Sequence, residues 1–457
     1  MESNETARID SEYFKKDYLT FINILKKIAH SKLDDISNVK GGKRLPIGEN
    51  FSDEGIPYIR AEDNKKGFVN YENSPKISLD LHNQLKSYQT KYNDILLTIV
   101  GNSIGDVGIV KFDLEKCNLT ENCAKVINLK NNLKANYIFS FLNSKFGQLQ
   151  ISREKVGTAQ PKLAIERIRK FIIPNLDDTF QFQIETLVKS AYQKLEDSKT
   201  LYKEAEELLL KELDLVDFTP SDENISIKSF KDSFMQTGRL DSEYYQAKYD
   251  ELIDHIKKAN FDKLDNIVNI KKSIEPGSEA YQYSGIPFIR VSNVTKFGIS
   301  DTDIYLSKNI LKEEELQKLY PTKDTILLSK DGTVGIAYKI KNEKEMITSG
   351  ALLHLSIKKD DILPEYLTLV LNSLIVQLQA DRDAGGSIIK HWKPSEIQEI
   401  LIPIIDISIQ TKIEEKIKKS FELKEESKQL LDLAKKVVEI AIEKDEEEAI
   451  KFISNRN

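Results

Sequence analysis

Two cysteines, one tryptophan, three methionines and five histidines are thin means for metal or redox chemistry in a chain of 457 residues. Cys117 and Cys123 have no other cysteine to pair with, so a disulfide framework is excluded and the choice narrows to free thiols in a reducing compartment or one local bridge. The histidines are scattered, and no Cys/His group has the spacing of metal ligands. No apolar run approaches the roughly 18 residues of a membrane span, and no basic-then-apolar leader opens the chain, which predicts a cytoplasmic protein. Gly-x-Gly-x-x-Gly is missing, as are a Gly-Lys-Ser/Thr phosphate loop and a nucleophile elbow. A catalyst of any common class has little to build on.

Apolar residues supply 40% of the chain and charged residues 31%, enough for sizeable cores and long exposed helices. The formal charge of −6 speaks against nucleic acid, but the average conceals its distribution. Residues 31–176 carry roughly +6, residues 177–238 roughly −7, and residues 261–404 roughly −2. A basic lobe beside an acidic segment is compatible with local DNA binding; the near-neutral second lobe is harder to reconcile with it.

The chain is written twice. Asp10-Ser11-Glu12-Tyr13 recurs as Asp241-Ser242-Glu243-Tyr244, Lys32-Leu33-Asp34 as Lys263-Leu264-Asp265, and Gly55-Ile56-Pro57-Tyr58-Ile59-Arg60 as Gly285-Ile286-Pro287-Phe288-Ile289-Arg290. Leu142-Asn143-Ser144 with Gln148 and Gln150 returns as Leu371-Asn372-Ser373 with Gln377 and Gln379, and Ile172-Ile173-Pro174 as Leu401-Ile402-Pro403. One offset of about 230 residues relates every pair, so the chain holds two equivalent domains rather than a solenoid. Each half opens on an amphipathic helix (residues 12–29 and 243–259) and continues in short strands such as 95–100 and 325–329. It then closes in a long helix. Ile184, Val188, Ala191, Leu195, Ser198, Tyr202, Ala205 and Leu209 alternate by four and three, as do Ile413, Ile417, Ser420, Lys424, Ser427, Leu431, Ala434 and Val438. Two matching seams with small residues along them predict that the helices pair with each other; packing of each on its own domain is the alternative. The expected fold class is α+β: two pseudo-repeated globular domains joined by two long helices pairing as an antiparallel coiled coil. Boundaries fall at residues 1–176, 177–238, 239–404 and 405–457.

The ordered pieces are Gly-Ile-Pro-Tyr/Phe-Ile-Arg, then Asn64 or Asn293 with Gly67 or Gly298, then an Asp-Ile-Leu-like strand entering a glycine loop (94–108, 324–335). A glycine turn before a helix and an apolar-Pro strand end follow (157–174, 385–403). Over nearly the whole chain this order resembles the specificity (S, HsdS) subunit of type I restriction-modification systems, two target-recognition domains each followed by a helical region. The resemblance implies a non-catalytic subunit of a phage-defence system that reads a bipartite double-stranded DNA sequence. Two methyltransferase (M) subunits would dock on its helices and restriction (R) subunits would join them, and DNA methylation with its S-adenosylmethionine, ATP and Mg would belong to these partners, none to this subunit. A helix of about 30 residues measures about 45 Å, roughly a dozen base pairs, so paired helices would serve as a ruler.

Candidate DNA-reading residues are those able to meet base edges or phosphate from loops. Thr158, Gln160 and Lys162 lie on a Gly-Pro turn among basic residues, with Ser387, Lys390 and His391 as their counterparts; a solvated basic helix start is the plainer reading. Trp392 suits packing under that loop better than base stacking. Asn102 and Ser103, and Lys330 and Thr333, sit on glycine-flanked loops that either offer N–H groups to phosphate or simply connect strands. Arg60 and Arg290 would contact guanine or phosphate, or pair with a carboxylate such as Glu62; Asn64 and Asn293 would read a base or form a turn. Lys43 and Arg44 are a candidate phosphate clamp, with Lys271 and Lys272 in the equivalent place. The alternatives are a self-contained DNA methyltransferase, for which the Asn-Pro-Pro-aromatic loop is missing, and a coiled-coil scaffold for proteins only, which leaves the duplicated basic glycine loops unexplained.

Overall fold

The computed structural model describes residues 10–111, 116–157, 161–223, 225–385 and 389–455. The chain forms two compact units, Met1–Glu196 with Leu423–Asn457, and Asp197–Glu422. Each long helix, Asp178–Glu212 and Ile407–Glu443, therefore gives one half to each unit.

In the first unit an antiparallel ladder runs Asn38–Gly41, Cys123–Ile127, Ile95–Thr98, Val107–Ile109, with Gly67–Phe68 added in parallel at the end. A second sheet carries Ile56–Ile59 between Lys76–Ile77 and Cys117–Leu119, the latter parallel to it. The second unit repeats this plan. Val268–Lys272, Leu352–Ile357, Ile326–Ser329 and Ala337–Lys339 form one sheet, and Ile286–Ile289 lies between Tyr305–Leu306 and a parallel Ile347–Thr348 in another. Ile95–Thr98 and Ile326–Ser329 are buried at every position, which explains why two-residue alternation is patchy in the sequence. The leading helices are shorter than the sequence predicts, Lys16–Lys27 and Ala247–Ile256. Cys117 and Cys123 are buried free thiols, and burial pushes both up to about 12.

The long helices start alike. Asp177 accepts from the Thr179 N–H at 2.7 Å and Asp406 from the Ser408 N–H at 2.8 Å, so each helix has a carboxylate cap at its positive end. One turn in, the Gln181 side chain accepts from the Lys134 N–H and the Gln410 side chain from the Leu363 N–H, both at 3.0 Å, tying helix to globular domain. The seam is buried, with Leu195, Lys424 and Leu431 half-buried. The helices run antiparallel: in the first unit Ser427 Oγ donates to the Ala191 carbonyl at 2.6 Å, and in the second Ser420 Oγ donates to the Ser198 carbonyl at 2.7 Å. The serines thus do more than permit close approach, since they satisfy their hydroxyls on the facing backbone. Lys194–Glu426 and Lys416–Glu204 (2.6 Å) flank the seam with opposite charge.

In each unit the seam runs into the globular core. Ile184, Val188, Val437 and Val438 join Tyr137, Phe141 and Phe146 in one cluster; Ala205, Leu209, Ile413 and Ile417 join Tyr366, Leu367 and Trp392 in the other. The acidic run at the end of the second long helix is ordered. Asp445 caps a helix over Glu446–Ser454, Glu446 accepts from the Asp177 N–H at 3.0 Å, and Ala449 and Ile453 enter the first unit's core.

Most of the repeated motifs prove to be fasteners. Tyr137 Oη donates to the Pro174 carbonyl and Tyr366 Oη to the Pro403 carbonyl, both at 2.7 Å. Gln150 and Gln379 each take a strand residue at both ends, donating to the carbonyl of Ile172 or Leu401 at 3.0 Å and accepting its N–H at 2.8 Å. Arg153 lies over the Tyr13 ring at 3.9 Å, and Arg382 over the Tyr244 ring at 5.3 Å.

Candidate nucleic-acid interface

In the first unit the candidate loops are shaped from behind by half-buried amides. Gln148 Nε2 donates to the Gly105 carbonyl at 2.9 Å, and Asn143 Nδ2 to the Val107 carbonyl at 3.1 Å. Gly105 has φ +99 and Ile151 lies 3.0 Å from where a Cβ would stand, so glycine is required there. Within the loop the N–H groups of Ile104, Gly105 and Asp106 bond to Gly101, Thr98 and Ser103 carbonyls. These three amides serve the turn rather than a phosphate, which favours the strand-connection reading for them. The Asn102 side chain is exposed and Ser103 half-buried.

Asn102 and Ser103 share an open concavity of about 530 Å³ with Arg44, Arg60, Lys65, Glu62, Glu121 and Asn122. Arg44 Nε meets Glu121 at 2.6 Å while its side chain stays mostly exposed. Arg60 is held by Asp63, at 3.1 Å from Nε, and by Glu62, so the carboxylate pairing foreseen for it is present. Lys43 is exposed, and its carbonyl accepts from Tyr58 Oη. Lys162 exchanges backbone hydrogen bonds with Val156 at 2.8 and 2.9 Å and forms a bridge with Val100, which brings Lys162 beside the Gly101 loop. Thr158 and Gln160 lie outside the described residues, as does Ser387.

Asn64 does not belong to this surface. Its side chain is fully buried, and Nδ2 donates to the Leu96 carbonyl, Thr98 Oγ1 and the Asp106 carbonyl at 3.2–3.3 Å. Asn293 is buried as well: it accepts the Arg290 N–H at 3.0 Å and donates to the Asp301 carbonyl at 3.2 Å. Asp63 performs the same task toward the Arg60 N–H at 2.9 Å, so Asn293 is the structural partner of Asp63 rather than of Asn64. Both asparagines are scaffold, because a buried amide already bonded to backbone has no face left for a base.

The second unit assembles the corresponding edge from strand pairing. Asp331–Gly332 pairs with Lys390–His391, Gly385 bridges to His391, and the Trp392 N–H donates to the Lys330 carbonyl at 2.8 Å. Gln377 Nε2 holds the Gly335 carbonyl at 2.8 Å as Gln148 holds Gly105. Trp392 is buried beneath the loop. Lys330, Thr333, Lys390 and His391 therefore come together; Thr333 and His391 are exposed, while Lys330 is largely covered and paired with Asp331. His391 Nδ1 lies 2.8 Å from Asp331 and Lys390 Nζ 2.6 Å from Asp381. Burial works against ionisation of Asp331, yet Lys330 and His391 hold its carboxyl below the usual range. Arg290 points to Asp303 at 3.4 Å, and Lys271 donates to the Lys318 carbonyl.

Beyond Glu62, the expected partner of Arg60, the sites hold two acids that the sequence does not announce as contact residues. Glu62 and Glu121 in one unit and Asp331 in the other sit among the cations, and a carboxylate can accept from the amino group of cytosine as an arginine donates to guanine. No motif signals Glu121 or Asp331; only the fold places Glu121 against Arg44. Among the described residues no group of His, Cys, Asp and Glu could hold a metal ion, and no helix is long and apolar enough to cross a membrane. Each unit offers hydrogen-bond donors and acceptors on its own loop edge.

The family model for the type I restriction modification DNA specificity domain matches residues 26–206 and again residues 256–433. Both copies together span most of the chain, which belongs to this family of DNA specificity proteins. Its solved likenesses include the S subunit of the type I restriction-modification system from M. genitalium, at 15% identity and a TM-score of 0.40, covering 91% of this chain and 94% of that one. The HsdS subunit from Thermoanaerobacter tengcongensis is 13% identical with a TM-score of 0.31, over 91% of this chain and 97% of that one. A comparison with curated proteins finds no relative.

Proposed function

We propose that this chain is the subunit that gives a type I restriction-modification complex its sequence preference, reading a two-part duplex target with one reader per part. One observation carries the reading furthest. Each unit has its own loop edge, built on the same fasteners, and each is built onto half of both long helices. Two readers sharing one helical pair suit two short blocks of sequence separated by a gap of fixed length. The first long helix, with 35 residues, is about 50 Å long.

In this account the chain itself catalyses nothing. Two methyltransferase subunits dock on the helices and restriction subunits join them, S-adenosylmethionine, ATP and Mg are bound there, and the assembly works in the cytoplasm. The exposed Lys43, Lys162 and Lys390 meet phosphate, whereas Arg44, Asn102, Thr333 and His391 meet base edges, with Glu121 and Asp331 as acceptors.

The test is selection from random duplex DNA by the chain together with the methyltransferase subunit of its own system. Two fixed blocks separated by a constant gap are expected, and inserting about four residues, one turn, into both long helices should lengthen that gap. Recovery of a single uninterrupted block, or of no preferred sequence, would count against the reading.

A further inference from the structure

Each reader also touches the helices at the rim of its hydrophobic core, and does so twice with the same kinds of residue. In the first unit Phe68, on the short strand Gly67–Phe68, meets the Tyr192 ring edge-on at 5.3 Å, and Gly67 lies against Leu431. Lys111 reaches Glu196, one turn beyond Tyr192, at 3.6 Å, and lies 4.7 Å from the Tyr71 ring centre. In the second unit the hairpin Val294–Thr295/Gly298–Ile299 presents Phe297 edge-on to Tyr202 at 5.0 Å. Lys296 binds Glu206, again one turn beyond the tyrosine, at 3.0 Å, and lies 4.9 Å from the Tyr202 ring. Phe421 of the second long helix closes on Tyr202 at 6.4 Å and carries Lys341 over its ring at 3.8 Å.

The duplication aligns Tyr192 with Phe421 and Leu431 with Tyr202, by the offset that relates every other repeated pair. Each reader thus grips one residue of each long helix at related places, with an aromatic, a lysine and a Tyr-x-x-x-Glu stretch of the first long helix. Burial of apolar surface holds two bodies together but is indifferent to small rotations. Edge-on rings and a lysine fixed between a ring and a carboxylate are directional. A contact of that kind, made at the rim of the core, fixes the angle at which the reading edge stands on the helices.

We propose that these two aromatic–ionic clasps are positioning elements that set the pose of each reader on the helical pair, and with it the length of gap the protein accepts. The proposal rests on the two-part reading above. It adds that helix length alone does not define the gap.

The experiment repeats the random-duplex selection with the full chain and its methyltransferase subunit, comparing Lys296→Met, Phe297→Leu and Glu206→Gln with the parent. Glu206→Gln changes a half-exposed helix side chain with almost no change of volume, so its result does not depend on how the hairpin refolds. The same two sequence blocks should be recovered, while duplexes whose gap differs by one base pair rise roughly fivefold among the selected pool, the scale of losing a cation–aromatic contact. A gap distribution identical to the parent's would overturn the clasp, as would a change in the blocks themselves. Failure of the parent to select any two-part sequence would instead remove the reading beneath it, and shows in the parent before any variant is considered.

Discussion

The two globular units differ least where they hold the chain and most at their exposed loop edges. Tyr137 and Tyr366, Gln148 and Gln377, Gln150 and Gln379 make the same bonds to the same backbone sites, within a few tenths of an ångström. At the edges the parity ends. One unit sets Arg44 against Glu121 and leaves Asn102 exposed; the other sets His391 and Lys330 around Asp331. Even the sheet interiors diverge. Lys125, which bonds the Ser87 carbonyl at 3.1 Å, occupies the register position that His354 takes in the second unit, where it meets Thr348 Oγ1 at 2.8 Å. Repetition in this chain therefore marks scaffold, whereas divergence is found both in the sheet interiors and at the exposed edges.

The largest effect that would test this parity comes from the glutamine fasteners. Removing either side chain leaves a strand N–H and carbonyl without partners, at a cost of about 2–3 kcal/mol. Gln150→Ala should weaken the first unit and Gln379→Ala the second by similar amounts in urea unfolding followed by hydrogen exchange. A cost confined to one of them would break the equivalence.

A smaller effect should sharpen the difference. Burial, with Lys271 nearby, pulls His354 down to about 4, so the folded second unit favours the neutral ring. Its contribution is complete above the ordinary histidine value near 6.5 and is lost as pH falls toward 4, about 2 kcal/mol at pH 5. Burial pushes Asp94 of the first unit the other way, up to about 6, so the folded state takes up a proton first and that unit gains about 1 kcal/mol by pH 5. Exchange protection, corrected for intrinsic rates, should fall in the second unit and rise in the first on going from pH 7 to 5, and His354→Gln should abolish the fall.

How much the sequence revealed follows from the same distinction. The duplication and the heptad seams were readable because burial imposes a period on a helix and common ancestry imposes an offset. The paired, antiparallel helices follow from the seams, although the serine-to-carbonyl bonds do not. For Arg60 and Arg290 the sequence left DNA contact and a carboxylate partner both open, and the carboxylate partners are present; for Asn64 and Asn293 it left a base contact and a turn open, and both side chains are buried on backbone groups. The clustering of Arg44, Asn102 and Glu121 depends on strands that are far apart in sequence, so no local pattern announces it. Trp392 was readable as packing, since a lone tryptophan beside an apolar strand buries more than it exposes.

The central claim is that each globular unit independently reads one block of a two-part target. Exchanging residues 31–176 for the same region of a relative with a different target, then repeating the duplex selection, tests it most directly. The account predicts that one block changes to the relative's while the other block and the gap between them stay as they were. A change in both blocks, or in neither, would contradict it.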